Sequence, residues 1–393
     1  MLKQFFRDFG AVYAGNALVG FVFAASGPVA VILAVGAQGG LSESDLSSWI
    51  FGAFFINGLL SIAFCLRYRQ PLVFFWTIPG AVLVGPALGH LSFPEVIGAF
   101  IASGALMLAL GLSGWVRRCM EAAPMPIVMA MVAGVFLRFG TNLVLAVQND
   151  FWIAAPMVLV SIVLSFAKKI GRVLPPLIGA LIVGAFAIFL SGSFDSRDQE
   201  ILKLALPNTY LPVFSLQAMI ELVVPLAITV LVVQNGQGFA VLSTVGHKPP
   251  IDAIAVACGA GSMAAAFVGT VSTCLTGPVN AIISSTGEKH RHYTAGVMVG
   301  LLALVFGLLS AFFVRLLLST PPAFIAALGG LAMLRVLQTA FGTAFGGKFV
   351  LGALVTFLVT VADITIFNIG AAFWGLVFGF AISWLLERKD FAA

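Results

Sequence analysis

Long apolar stretches alternate with short polar ones along nearly the whole chain of 393 residues. Fourteen apolar segments follow from this pattern, at about 10–35, 46–66, 71–88, 94–114, 124–147, 151–167, 174–191, 214–241, 251–269, 271–286, 294–317, 321–341, 348–362 and 365–386. Segments of this kind approach the roughly 20 residues that a helix needs to cross a bilayer. Two of them are broken. Residues 71–85, PLVFFWTIPGAVLVG, open with an aromatic and β-branched run that favours an extended strand. After Thr77, Ile78, Pro79 and Gly80 the run reads as a helix, with Thr77 or Ile78 at the cap and proline tolerated in the first turn. Residues 267–283, FVGTVSTCLTGPVNAII, repeat the design around Thr276, Gly277 and Pro278. Segment 1 carries Ser26-Gly27-Pro28 near its middle. Segment 8 carries Gln234-Asn235-Gly236-Gln237-Gly238, whose glycines predict an unwound turn.

Fourteen segments divide as seven plus seven, over residues 1–191 and 214–393. Seven is odd, so the second set enters the membrane with opposite orientation, which is an inverted repeat. Three echoes follow that order. Segments 3 and 10 share the Thr-Pro break. Segments 1 and 8 share a glycine-containing interruption. Segments 5 and 12 both open on paired prolines and place an arginine soon after a glycine, Arg138 after Gly134 and Arg335 after Gly330. Paired interruptions at corresponding positions are the best sequence pointer to a transporter's site. The half-helices of segments 3 and 10 are expected to start near the midplane and face each other. Their unsatisfied N–H groups would then form an anion site without a charged side chain.

Composition agrees and excludes other classes. The chain is 61% hydrophobic and 9% charged, the balance of a polytopic membrane protein. Its net charge of +5 does not point to nucleic acid, because the basic residues sit in short loops. With the N-terminus inside, 15 of the 20 Lys and Arg fall at cytoplasmic ends and only Arg197 and Lys203 outside. That asymmetry places both termini in the cytoplasm. Lys3 and Arg7 precede a first span too long for a cleaved signal. Cys65, Cys119, Cys258 and Cys274 have no metal-binding or disulfide spacing. No cofactor motif, nucleotide-binding loop, or nucleophile and base at matching depth is present, so neither an enzyme nor an ATP-driven pump is expected. The longest polar stretch, about 192–212, reads as a surface loop with one short amphipathic helix around 197–206.

Few residues are left to carry chemistry. Gln234 and Asn235 are adjacent amides in an apolar helix, and are expected to bond a substrate or the broken backbones. Asn280, just past Pro278, reads as a structural tie or a contact. Arg138 and Arg335 are costly at this depth and suggest gating or structural roles. Glu221 and Asp363 are the acids that edge a segment, hence the proton-carrying candidates, although both read as solvated. His90, His247, His290 and His292 fall at membrane surfaces.

The strings PLVFFWTIPGAVLVG, AMVAGVFLRFG, VVQNGQGFAVL and AAFWGLVFG, in this order along nearly the whole chain, resemble the BenE-type benzoate:proton symporters. That family is similar to the uracil, xanthine and sulfate permeases. The resemblance implies an all-α polytopic fold with a core domain (1–120 and 214–318) and a gate domain (121–191 and 319–393). It implies a bacterial inner membrane, a small organic anion and a proton as partners, and a dimer formed through the gate. It places the substrate at Ser26, Thr77, Ile78, Pro79, Gly80, Gln234, Asn235, Thr276, Gly277, Pro278 and Asn280, with Phe74, Phe75 and Trp76 as apolar wall. The chain departs from the family at Gln237, where proline is usual, and in CLTGPVNAI, and it lacks the segment-8 acid of uracil symporters. A nucleobase or inorganic-anion permease of the same fold, or an uncoupled channel, are the other readings.

Overall fold

A computed structural model describes residues 2–167, 174–194, 204–367 and 369–391, and each of the fourteen expected segments has its counterpart there. Among the described residues, seven helices are long and apolar enough to cross a membrane alone: Ala11–Gln38, Glu43–Tyr68, Phe93–Ser113, Met125–Asn149, Leu216–Thr244, Lys289–Leu308 and Pro322–Phe345. Segments 6, 7, 9, 13 and 14 are the shorter helices Phe151–Phe166, Pro176–Ser191, Ile251–Ala266, Val350–Ala362 and Ala371–Leu386. Segment 1 bends at Ser26, between Ala11–Ala25 and Gly27–Gln38. Segment 11 ends at Leu308 and a separate helix, Ser310–Leu318, follows. The amphipathic helix expected around 197–206 lies mostly outside the described residues, and 204–206 are irregular.

Segments 3 and 10 are strand plus half-helix, as their sequences require. Strand β1 (Phe74–Trp76) leads into the half-helix Ile78–Ala87, and strand β2 (Thr273–Leu275) into Gly277–Ile283. The strands pair antiparallel, Phe74 with Leu275, Phe75 with Cys274 and Trp76 with Thr273. The pairing extends through Thr77 N to Ser272 O at 2.9 Å and Thr276 N to Val73 O at 3.1 Å. A two-stranded ribbon still leaves its outer edges unbonded, which is untenable away from water. Buried side chains fill those edges. Ser61 Oγ accepts from Phe74 N at 2.8 Å, and Ser262 Oγ from Thr273 N at 2.9 Å. Asn280 accepts from Val73 N and donates to Val73 O, at 3.0 and 3.2 Å. Asn235 Oδ1 accepts from Leu275 N at 2.8 Å, and Asn57 Oδ1 from the Thr273 hydroxyl at 2.8 Å.

Segment 8 corrects an expectation. Leu216–Thr244 is one helix with no unwound turn at Gly236 or Gly238. A Cβ at Gly238 would lie 2.8 Å from the Leu275 side chain, so this glycine admits a close neighbour rather than a break. The irregularity lies earlier, in wide π turns at Met219–Val223 and Thr229–Gln234.

The helices pack in two groups. Segments 5 and 12, 13 and 14, and 6 and 7 pack on one another, and so do segments 4 and 9, 2 and 11, and 1 and 10. The second half of segment 1 meets segment 12, and the half-helix of segment 3 meets segment 5. Large apolar side chains such as Trp152, Phe166, Phe189 and Leu112 are exposed on the outside, the surface of a protein solvated by lipid.

The chain's alternation puts both termini at one end of the bundle. Two of the histidines expected at membrane surfaces lie there, packed inside the protein. His247, between segments 8 and 9, and His292 are buried, with His247 Nε2 at 3.2 Å from His292 Nδ1. Burial, with further contributions from His292 and Lys289, pushes the His247 imidazole down to about 4 from its ordinary 6.5. The unfolded chain therefore binds a proton between those values that the folded chain refuses. Stability present above pH 6.5 is lost as the pH falls toward 4. Thermal unfolding in detergent across that window should show Tm falling by several degrees. A His247→Gln variant should show a flatter profile.

Candidate functional site: a cavity at the two breaks

A cavity of about 1390 Å³ lies between the two groups of helices. It starts at the breaks and reaches the end that carries the termini. Met120, Met125, Ser165, Pro175 and Thr343 line it, and all lie toward that end of their segments. Phe23, Phe75, Trp76 and Phe136 give it aromatic walls. Trp76 keeps its indole N–H without a partner among the described residues. Phe74, expected in the wall, instead faces away and meets Phe64 at 5.0 Å between ring centroids.

The structure sorts the expected site residues into three sets. Ile78, Pro79, Gln234, Thr276 and Pro278 come together on the cavity wall. Ser26, Thr77, Gly80, Gly277, Asn235 and Asn280 lie behind that wall and hold it. The Ser26 hydroxyl donates to Phe23 O at 3.1 Å. Thr77 caps its half-helix by accepting from Gly80 N at 3.2 Å. Thr276 occupies the same place in the other repeat without a side-chain cap bond. Gly277 lies under the Gln237 side chain, where a Cβ would come within 2.6 Å. Asn235 and Asn280 are fully buried and spent on the strands, with Asn235 Nδ2 also 3.5 Å from Cys258 Sγ.

The charged candidates form the third set. Arg335 lines the cavity and is its only charged residue among those described. It donates to Gln338 Oε1 at 2.9 Å. Arg138 lies elsewhere and pairs with Asp363, so Asp363 is half-exposed but not simply solvated. Glu221 is not solvated at all. It is 5% exposed, bonds His90 Nε2 at 2.8 Å, and packs against Gly370 at the start of segment 14. His90, its partner, is partly buried.

Asn57, Ser61, Ser262 and the His90 partnership were not singled out from the sequence. A lone Asn or Ser in an apolar helix was the available signal for the first three.

The sequence profile of BenE, described as Benzoate membrane transport protein, matches residues 6–385. The chain belongs to the BenE family. Two relatives match over nearly full length. Inner membrane protein YdcO of Escherichia coli (strain K12) is 28% identical over 366 residues, 92% of this chain and 91% of the relative. The Benzoate membrane transport protein of Acinetobacter baylyi (strain ATCC 33305 / BD413 / ADP1) is 25% identical over 396 residues, 99% and 98% of the two chains. Solved structures share the fold. The transmembrane domain of a cyanobacterium bicarbonate transporter, BicA, superposes with a TM-score of 0.65 at 18% identity, over 93% of this chain and 97% of its own. SLC26A9 superposes with 0.66 at 16% identity, over 95% and 65%. This BenE-family chain is therefore a multi-pass membrane transporter with the SLC26-like fold, not an enzyme.

The division between wall and support is testable. Asn280→Ala orphans the buried Val73 N–H, at about 1–3 kcal/mol, while the Val73 carbonyl keeps its bond from Thr276 N. It should lower Tm measurably, whereas Gln234→Ala, on the wall, should leave Tm nearly unchanged.

Proposed function

We propose that this transporter imports benzoate or a similar aromatic monocarboxylate together with a proton. The observation that carries the reading is the make-up of the cavity wall: mostly apolar and aromatic residues, a minority of neutral hydroxyl and amide side chains such as Gln234 and Thr276, one cation and, among the described residues, no acid. An aromatic ring gains from those walls. A carboxylate gains from Arg335 and from the start of the half-helix Ile78–Ala87, whose N-terminal N–H groups and dipole contribute on the order of 1–2 kcal/mol in partly buried geometry. A nucleobase offers no carboxylate for this chemistry. The name of the Acinetobacter relative points the same way.

In this reading the membrane is the bacterial inner membrane, both termini are cytoplasmic, and the cavity is open to the cytoplasm. The core, 1–120 and 214–318, carries the breaks. It moves against a gate of 121–191 and 319–393. Glu221 is the proton carrier we favour, because it is buried against a titratable partner, while Asp363 is engaged by Arg138.

Labelled benzoate uptake into proteoliposomes tests this. Uptake should exceed equilibrium only with the outside acid, and excess uracil should not compete. Absence of uptake under every gradient would overturn the substrate assignment. Glu221→Gln should keep benzoate exchange between equal solutions but lose acid-driven accumulation, read from the same vesicles. Retained accumulation would remove Glu221 from the coupling.

A further inference from the structure

The two repeats place one arginine each at matching points of segments 5 and 12, but they do not give both the same surroundings. Arg138 has a carboxylate, Asp363, at the end of segment 13. In the repeat, the matching position follows segment 6. Residues 167–175 there read AKKIGRVLP, with Lys168, Lys169 and Arg172 and no acid. Arg335 has no ion pair among the described residues, and its guanidinium donates to the neutral Gln338. A cation at membrane depth is costly unless an anion accompanies it. One arginine carries a permanent anion, and the other faces a cavity.

We propose that Arg335 is a binding station for the carboxylate of the substrate, set between the mouth of the cavity and the breaks. This rests on the cavity being the transport path, and goes further by naming the group that first takes the anion. The position fits. Ala332 abuts Gly27 at the bend of segment 1, so that a Cβ on Gly27 would clash with it. Arg335 lies three residues further toward the open end, about 4.5 Å along the helix axis. Gln338 and Thr339 on the same helix, and Ser161 and Ser165 on segment 6, line the same space. A guanidinium takes a planar carboxylate through two parallel hydrogen bonds, which distinguishes it from a neutral amide of the same shape. Because Arg335 belongs to segment 12 and the breaks to segments 3 and 10, a carboxylate passing between them bridges the two helix groups.

The test compares wild type, Arg335→Gln and Arg335→Lys as full-length protein. Transport in proteoliposomes gives KM and kcat. Thermal protection in detergent is measured with benzoate, acetate, bicarbonate and the neutral isostere benzamide. Arg335→Gln should raise KM for benzoate by about tenfold or more, the factor that 1.4 kcal/mol represents, with kcat within about twofold. Arg335→Lys should recover part of the loss. Anion protection should fall in Arg335→Gln, and any benzamide protection should not. Equal Tm values without ligand show that the variants fold. Should another carboxylate protect wild type while benzoate neither protects nor is transported, with Arg335→Gln abolishing that protection, the benzoate assignment fails and the station stands. Unchanged KM and unchanged anion protection in Arg335→Gln overturn the station. So does a wild type that none of the anions protects.

Discussion

A peptide group at membrane depth has no water to bond, and the rest of this structure depends on how that demand is met at the breaks. Each break frees backbone groups that a continuous helix would have satisfied. The chain answers by pairing the two broken segments with each other, then closing both ribbon edges with Ser61, Ser262, Asn235 and Asn280. Asn280, from the second repeat, bonds Val73, from the first. The repeats are therefore joined at their breaks, through the strand pairing and through a side chain of one repeat on the backbone of the other. A rigid pair of helix starts is what allows a cavity wall to form there.

On this near-symmetric frame the chemistry is asymmetric. Thr77 caps its helix, whereas Thr276 makes no cap bond and faces the cavity. Gln237 lies across Gly277 in one repeat. Arg138 is neutralised and Arg335 is not. Inverted repeats supply equal positions at opposite ends, and single substitutions then make one end differ from the other.

The fold was largely legible because its signals are local. β-branched and aromatic residues before a proline predict a strand followed by a helix start, and both occurrences are present. The apolar pattern set the segment count, and the charge asymmetry agreed with it. What was not legible depends on distant partners. His90 and Glu221 are 131 residues apart, and nothing in either neighbourhood announces the other. Ser61 and Ser262 look like ordinary helix serines, and each does bond its own preceding turn, at Asn57 O and Cys258 O, as well as a strand. Gly236 and Gly238 misled for a physical reason. Glycine serves close approach as well as unwinding, and Gly238 serves the first, against Leu275.

The lengths of the outer helices make the bilayer a participant. Phe151–Phe166, Pro176–Ser191 and Ala371–Leu386 have 16 residues each and Val350–Ala362 has 13. At about 1.5 Å per residue they measure roughly 20–24 Å, against a hydrocarbon thickness near 30 Å. Segments 5 and 12, with 25 and 24 residues, measure about 36–38 Å and exceed that thickness. The lipid around the short helices must thin to meet them, at a cost that grows with each ångström of mismatch. Any motion that tilts this group of helices changes how much lipid is deformed. Acyl-chain length therefore enters the energy difference between the transporter's conformations, and a thicker membrane favours whichever state presents the taller apolar belt.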